Sequence, residues 1–357
     1  MRFLWLGWLL LCGAVLAVEP TLVEPVSTPH IALLLPLKSP AFRAPASAVQ
    51  QGFLAASSLN KKGLPVRVYS CADESKEILA LYAQAISKGA QVVVGPLTRN
   101  GVNLLAAQGN INVPTLTLNT LDAQENDALY GFGMAVENEA RMVAQLAVAQ
   151  GLQGAVVIGG EGQFSIRMQL AFEDAWHEKG GILSREIAFN GDTSVVADLV
   201  HEAKTLIFLA VNAQQASVLR PYLPNRMPVY ATSQLFVTTA PTNFEFNGFT
   251  FVDMPWLIQP NLPLVQSFPH AVPALPLDLE RLYALGIDAY RLSQVLLSRD
   301  INRNFALDGV SGQILLEGHQ FQRLAVPATF VQGQAQVLGA TPSESAVSQP
   351  VASPTRP

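Results

Sequence analysis

IALLLPL, at residues 31–37, predicts a short strand that is apolar on both faces, and residues 46–60 follow it with the pattern of a helix. The same order recurs along the chain, because short β-branched or leucine-rich runs alternate with helical patterns. The other predicted strands are VRVYSC (66–71), QVVVGPL (91–97), PTLTLN (114–119), GAVVIGG (154–160), TLIFLAV (205–211) and PVYATS (228–233). Such alternation is typical of an α/β fold in which helices cover both faces of a mostly parallel sheet.

Interruptions of this alternation predict two lobes. Residues 129–133 break the pattern before a second βα series begins, and residues 241–276, rich in Pro and Phe, break it again. A long helix at about 278–298 and a hairpin series at 310–338 follow. The expected domains are a signal peptide at 1–17, lobe 1 from 28–134 with 253–306, lobe 2 from 135–252 with 307–338, and a disordered tail at 339–357.

Helix ends are also marked in the sequence. Helical patterns at residues 76–88 and 138–150 are followed by Gly89 and Gly151. Glycine commonly follows the last turn of a helix, because it adopts the left-handed conformation without a steric penalty. We therefore expect both helices to stop at these glycines.

The first 20 residues, MRFLWLGWLLLCGAVLAVEP, have the features of a secretory signal peptide. Arg2 precedes an apolar run, and Ala17 is a small residue at a plausible cleavage site before Val18. The run is about 14 residues long, which is short of the roughly 20 that a membrane span needs. We expect an exported, periplasmic protein. It would be attached to the periplasmic face of the outer membrane only if Cys12 is lipidated, and Leu11 fits poorly the lipobox position before that cysteine.

Composition indicates how the fold is held together and which partners are not expected. Half of the residues are hydrophobic and only 14% are charged, which suits many fully buried strands. The net charge is -5, and no basic run is longer than Lys61-Lys62, so no nucleic acid partner is expected. Cys71 is the only cysteine beyond the signal segment, so a hydrophobic core must hold the fold without an internal disulfide.

Motifs for catalysis and cofactors are missing from the sequence. The five histidines are scattered, and neither a GxSxG elbow nor a Walker phosphate loop occurs, so we expect no metal, no cofactor and no enzymatic activity. Gly131 and Gly133 form only half of a GxGxxG motif, which favours a tight turn. Ser58 and Lys61 match the SxxK element of penicillin-interacting enzymes, but no KTG triad follows. We expect this stretch to be a solvated helix end.

Ligands of open parallel sheets bind outside the carboxyl ends of the strands. The candidate residues at these ends and at the expected crossover between lobes are Leu37, Lys38, Gly95, Pro96, Leu97, Thr98, Asn119, Gly160, Ser233, Gln234, Asp253 and Trp256. Thr98, Asn119 and Asp253 offer polar groups, whereas Leu37 and Leu97 are apolar and Pro96 has no backbone donor. One interpretation is an unidentified small ligand in an interlobe cleft. The other is that these residues end strands and pack the lobes.

Several longer stretches of the sequence resemble a known protein family, and they are more specific than the single strand patterns. The strings are RLYALGIDAYRL (281–292), DMPWL (253–257), PVYATSQ (228–234), AFEDAWHEKGG (171–181), LRPYLP (219–224) and DGVSGQILL (308–316). With IALLLPL and VVVGPL, they resemble the LppC/LpoA family of penicillin-binding protein activators from about residue 30 to 335. The resemblance implies a type I periplasmic binding protein-like fold. It also implies a non-enzymatic protein of the Gram-negative envelope that binds a class A penicillin-binding protein and stimulates peptidoglycan transpeptidation.

The sequence departs from the best-known members of that family. They carry a helical-repeat domain ahead of this fold and a clear lipobox, and neither is expected here. A second function also stays open, because solute-binding receptors for branched-chain amino acids or amide-like ligands share this architecture but need a polar cleft.

The string at 281–292 predicts how its helix packs. Leu282, Leu285, Ala289 and Leu292 form one stripe facing a lobe core, with Tyr283 and Tyr290 expected near its edge. Trp256 is expected to anchor the crossover between lobes.

Overall fold

The computed structural model describes residues 27–121, 126–239, 243–299, 301–302 and 304–339. The predicted signal peptide with Cys12, and the predicted tail from residue 340 onward, lie outside these residues.

The described residues form strands and helices in alternation. The strands are β1 His30–Leu35, β2 Val66–Ser70, β3 Ala90–Val94, β4 Thr115–Thr117, β5 Leu129–Phe132, β6 Gly154–Gly160, β7 Ile182–Phe189, β8 Thr205–Ala210, β9 Val229–Ala231, β10 Thr250–Asp253, β11 Ala306–Gly309, β12 Gly312–Glu317, β13 Gln320–Leu324, β14 Val326–Val331 and β15 Gln334–Val337. The helices are α1 Arg43–Leu59, α2 Glu74–Ser87, α3 Arg99–Ala106, α4 Val136–Ala149, α5 Gln163–Glu178, α6 Ala213–Leu219, α7 Pro255–Ile258, α8 Pro263–Gln266 and α9 Leu277–Ser298.

Two sheets define the two lobes. The first has eight strands in the order β11-β12-β13-β5-β4-β3-β1-β2, and the second has seven in the order β15-β14-β10-β9-β8-β6-β7. The βα strands pair in parallel, and the carboxyl-terminal hairpins add antiparallel strands at one side of each sheet. The two-lobed α/β fold is therefore confirmed.

All seven predicted strands are present, as β1, β2, β3, β4, β6, β8 and β9. Their buried faces explain why the apolar runs were informative, since β1 and β8 are buried at every position. The helices expected to stop at Gly89 and Gly151 do end there, and both glycines have a positive φ. Three strands were missed: β5, β7 and β10.

The expected limit between the lobes near residue 306 is wrong. Strands β11 to β13 belong to the first sheet, because β13 pairs in parallel with β5, with Gln320 opposite Gly131. The chain crosses to the second sheet only at Ala325, between β13 and β14. Residues 307–324 thus complete lobe 1, where Phe321 packs in the core.

Three crossovers connect the lobes: β5 to α4, β10 to α7, and β13 to β14. The other domain limits stay a prediction.

Helix α9 lies in the core of lobe 1 against α1. Tyr283 and Tyr290 are buried rather than at an edge, because α9 is enclosed on nearly all sides. Gly52 of α1 and Gly286 of α9 permit the close approach of the two backbones. A Cβ on Gly52 would collide with the carbonyl oxygen of Tyr283, and a Cβ on Gly286 with that of Val49.

Within the described residues, no helix combines the length and the apolar character required to cross a membrane.

Candidate functional site

The carboxyl ends of β1 and β3 hold most of the predicted site residues of lobe 1. Leu37 and Leu97 pack against the hydrophobic core, and Lys38 is exposed. The Gly95-Pro96 peptide bond is cis, and the Pro96 carbonyl accepts a hydrogen bond from Leu118 N–H at 2.8 Å. Leu37 and Leu97 thus pack within lobe 1, whereas Lys38 faces solvent.

Glu74 occupies the hydrogen-bond donors that follow β3. Its carboxylate accepts from Leu97 N–H at 3.0 Å, from Thr98 N–H at 2.7 Å and from the Thr98 hydroxyl at 2.6 Å. The residue is only 2% exposed. Burial raises the pKa of Glu74, although these three hydrogen bonds act in the opposite direction. Backbone N–H and hydroxyl donors of this kind are what a ligand carboxylate needs, and here the chain supplies the carboxylate itself.

Asn119 is likewise engaged within the chain. Its side-chain amide donates to the Leu97 carbonyl at 3.1 Å and accepts from Thr120 N–H at 3.0 Å. Thr98 and Glu74 line a cavity of about 410 Å³ together with Ser39 and Asp73. Thr98 is the only one of the predicted site residues on that cavity wall.

A second cavity, of about 690 Å³, lies in lobe 2 at the ends of β6 and β7. Gly160 lines it, as do Ile166, Gln169 and Glu186. Gly160 and Thr98, both predicted site residues, therefore line two different cavities.

Asp253 and Ser233 meet around Arg281 where β10 crosses to lobe 1. The guanidinium donates from Nε to Asp253 Oδ1 at 3.1 Å and from one terminal nitrogen to Oδ2 at 2.6 Å. The same nitrogen donates to the carbonyls of Ser233 at 3.1 Å and Phe236 at 2.7 Å. Burial alone would lower the pKa of Arg281, but the carboxylates of Asp253 and Glu139 raise it. The guanidinium thus stays charged between the lobes.

Glu139, in the first turn of α4, extends this network toward the other two crossovers. Its carboxylate accepts from Ser233 N–H at 3.0 Å and from Arg323 at 3.4 Å. Arg323 also donates to the Ser311 carbonyl at 2.9 Å. Asp288 accepts from the Ser311 hydroxyl at 2.7 Å and from the Ser311 N–H at 2.8 Å. One chain of polar contacts thus joins α4, β13 and α9 where the chain crosses between the lobes. We call the residues of this network, from Asp253 and Arg281 to Arg323 and Asp288, the hinge.

Trp256 lies buried just after the second crossover. Its indole N–H donates to Glu280 at 2.8 Å, and its backbone N–H donates to the Val310 carbonyl at 2.9 Å. Its ring packs against His270 and Tyr283. These contacts agree with a role in anchoring the crossover. Gln234, which follows Ser233 in the chain, is half-buried.

Four of the strings that resemble the LppC/LpoA family meet in this hinge network. Arg281 and Asp288 come from RLYALGIDAYRL, Asp253 and Trp256 from DMPWL, Ser233 from PVYATSQ, and Ser311 from DGVSGQILL. Sequence reasoning missed Glu74, Glu139, Glu280, Arg281, Asp288, Ser311 and Arg323. One signal was available, because Arg281 and Asp288 are seven residues apart and therefore lie on the same face of a helix, among the apolar residues of RLYALGIDAYRL.

The SxxK stretch is at the exposed end of α1. Ser58 is exposed and donates to the Ala55 carbonyl at 2.7 Å, and Lys61 is exposed beyond the helix end.

Comparison with known proteins gives matches along most of the chain. The family model described as "LppC putative lipoprotein" matches residues 21–202 and 200–324. Penicillin-binding protein activator LpoA of Photobacterium profundum is 25% identical over 334 residues, which cover 82% of this chain and 54% of that protein. The activator LpoA of Haemophilus ducreyi is 25% identical over 301 residues, with coverage of 80% and 50%. The chain thus spans about half the length of these curated relatives.

Two solved structures cover nearly the same region. A Chromobacterium violaceum structure described as a "putative branched-chain amino acid ABC transporter" is 33% identical, with a TM-score of 0.75 and coverage of 85% of this chain and 100% of that one. The C-domain of Haemophilus influenzae LpoA, described as a regulator of PBP1A, is 22% identical. Its TM-score is 0.74, with coverage of 87% of this chain and 99% of that one, and the likeness shows a shared fold.

Proposed function

The chain belongs to the LppC family, and on this premise we propose that it is a periplasmic regulator that binds a class A penicillin-binding protein and stimulates its peptidoglycan cross-linking. It catalyses no reaction itself. The curated relatives named LpoA are penicillin-binding protein activators, which supports this role.

The observation that carries the proposal is the self-contained hydrogen bonding at the strand ends and the hinge. Glu74 takes the donors of Leu97 and Thr98, and Arg281 takes both oxygens of Asp253. A receptor for a zwitterion needs such groups free to contact its ligand. Because they serve the fold instead, the chain is better suited to act through its surface.

An activator shifts its partner only through its greater affinity for the partner's active state. A coupling free energy of about 1 to 3 kcal/mol corresponds to roughly 5- to 150-fold stimulation. This range is attainable by surface contacts alone, without a bound small molecule.

The test uses the cognate synthase from the same organism, lipid-linked precursor and the exported chain. Cross-linked muropeptides are quantified with and without the chain, and we expect an increase. Ser58→Ala with Lys61→Ala should give the same stimulation, because the SxxK stretch is only an exposed helix end. No stimulation, or altered muropeptides with the chain alone, would contradict the proposal.

Export as a periplasmic protein is part of this proposal. Intact-mass measurement should give a chain that begins near Val18. A diacylglyceryl adduct on Cys12 would instead place the protein on the outer membrane.

One observation favours a second candidate, a solute receptor for a branched-chain amino acid. The Chromobacterium violaceum structure described as a "putative branched-chain amino acid ABC transporter" is 33% identical and is matched over its whole length. The two functions differ in whether a small ligand stabilises the fold.

A further inference from the structure

Strand β7 lies at the outer edge of the second sheet, and β6 is the strand that pairs with it there. The parallel pairing of β6 and β7 places Glu186 of β7 beside Val157 and Ala188 beside Gly159. The side chains of Glu186 and Ala188 therefore face the side of the sheet that α4 and α5 cover. Both are exposed, whereas Ile187 and Phe189 on the opposite face are buried in the core. One face of the edge strand is therefore open.

Helix α5 forms the other wall of this open face. Ile166 and Leu170 are one turn apart on the same side of α5, and they are 43% and 53% exposed. Ile166 and Gln169 share the 690 Å³ cavity with Glu186 and Ala188. We call the space between these α5 residues and the open face of β7 the β7 groove.

The rest of this sheet face is covered by helices. Val157 of β6, Phe208 of β8 and Tyr230 of β9 are buried under α4 and α5. The β7 groove is the next position in the same helical layer, beside α5. An added helix would there cover exposed Ile166, Leu170 and Ala188, which favours association by the same apolar burial that packs α5.

The charges around the groove define the helix that fits. Glu161, Glu173 and Glu186 lie on or beside its walls, and Asp174 and Glu178 follow on α5. Burial raises the pKa of Glu173, and the neighbouring charge of Glu186 raises it further. Among the described residues none of these five carboxylates forms an ion pair with Lys or Arg. A helix with an apolar stripe flanked by Lys and Arg would complement both the apolar and the acidic walls.

The opposite outer edge of the molecule provides a contrast. Strand β2 ends the first sheet, and its cavity is lined by Arg67 and Lys88, with Lys88 above the Tyr69 ring. The two edges thus present opposite charge on similar architecture.

We propose that the β7 groove is the docking site for a basic amphipathic helix of the peptidoglycan synthase. This proposal rests on the proposed function, which it deepens by naming the contact surface and the chemistry of the partner segment.

The test measures the affinity of the cognate synthase for the wild-type chain and for the double variant Leu170→Lys/Glu186→Lys. Both positions are exposed, so the fold should be retained, and circular dichroism melting checks this. We expect the double variant to weaken binding about tenfold or more, because loss of an apolar contact and a charge pair each act at the same interface.

Matched controls lie elsewhere on the surface. Val218→Lys changes an exposed apolar residue of α6, which covers the opposite face of the same sheet. Lys88→Glu reverses charge beside the edge strand of the first sheet. Both controls should bind the synthase like the wild type. Equal binding by the double variant and the wild type would overturn the docking site while leaving the proposed function standing.

If the wild-type chain binds no synthase, the proposed function is contradicted. A second measurement then tests the β7 groove without the synthase. A helical peptide of Leu and Lys is titrated against the chain, with the matched Leu and Glu peptide as the control. Binding of the basic peptide that is lost in the double variant supports the groove. Equal binding of both peptides, or equal binding by wild type and double variant, overturns it.

Discussion

At the scale of single residues, Cys71 illustrates how burial controls chemistry at the end of β2. Its side chain is fully buried, and burial, followed by the charges of Glu74, Glu77 and Asp73, raises the pKa of the thiol to about 11. The thiol therefore stays protonated and unreactive in the folded protein at neutral pH.

The raised pKa of Cys71 predicts a loss of stability in alkaline solution. Between the ordinary thiol pKa of 9.0 and about 11, the folded state holds a proton that the unfolded state has released, so stability falls as pH rises through this window. At pH about 10.5 this loss should be about 1 to 2 kcal/mol. Urea unfolding at pH 8 and at pH 10.5 should show a smaller loss for Cys71→Ala than for the wild type. Equal losses would contradict the prediction.

Glu74 predicts a second effect at residue scale. In Glu74→Gln, the side-chain NH₂ group would face a backbone N–H of Leu97 or Thr98, since both donate to the carboxylate. We expect a loss of about 1 to 3 kcal/mol in the free energy of unfolding. Glu77→Gln on the exposed side of α2 serves as the control and should cost less. If urea titration gives the same loss for both, Glu74 does not hold the loop after β3.

At the scale of elements, the contact between α1 and α9 depends on two glycines. Replacing glycine by alanine in a helix normally stabilises it by about 1 kcal/mol. Gly52→Ala and Gly286→Ala should instead destabilise the protein, because each new methyl group would meet backbone atoms of the facing helix. Thermal unfolding checks the sign, with Gln51→Ala on the exposed side of α1 as the control. A raised melting temperature for either glycine variant would refute this packing.

The hinge between the lobes predicts a large difference between two arginines. Arg281→Leu leaves Asp253 buried without its cation, which should cost about 3 to 5 kcal/mol. Arg185→Leu breaks a solvent-exposed pair with Asp198 at 2.8 Å, so it should destabilise the protein far less. Chemical denaturation compares the two variants. Similar losses of unfolding free energy in the two variants would show that the Arg281–Asp253 pair does not stabilise the fold.

Sequence patterns predicted elements best where a strand is buried on both faces. Strands β1 and β8 are continuous apolar runs and were recognised for that reason. Strand β7 was missed because its exposed edge carries Arg185 and Glu186, and β5 is only four residues long and contains Gly131. Pairing of β13 with β5 joins residues far apart in the chain, which no local pattern contains.

The candidate site was predictable in part for a similar reason. Strand ends can be located from the sequence, and Thr98, Asn119 and Ser233 do follow β3, β4 and β9 within four residues. Their partners could not be found, since Glu74 and Arg281 reach these positions only through the packing of α2 and α9. Whether any of these residues contacts a small ligand stays a prediction.

At the scale of the whole molecule, the two candidate functions differ in their response to small ligands. A ligand at 100 times its dissociation constant would stabilise the fold by about 2.7 kcal/mol. We expect no rise in melting temperature with a panel of branched-chain amino acids and short amides, because Glu74 and Arg281 occupy the groups such ligands would use. A clear rise with any one compound would favour the receptor function.

The order of strands in the two sheets has a consequence for how the chain folds during synthesis. Strands β13 and β14, at residues 320–331, pair with β5 and β10, which precede them by about 190 and 75 residues. Until these late segments have been synthesised, both sheets have an unpaired edge at β5 and β10. Strands β13 and β14 thus complete both sheets at nearly the same point in the chain. A chain interrupted before residue 306 would therefore expose the unpaired backbone edges of β5 and β10. We therefore expect such a chain to aggregate more readily than one that carries the carboxyl-terminal hairpins.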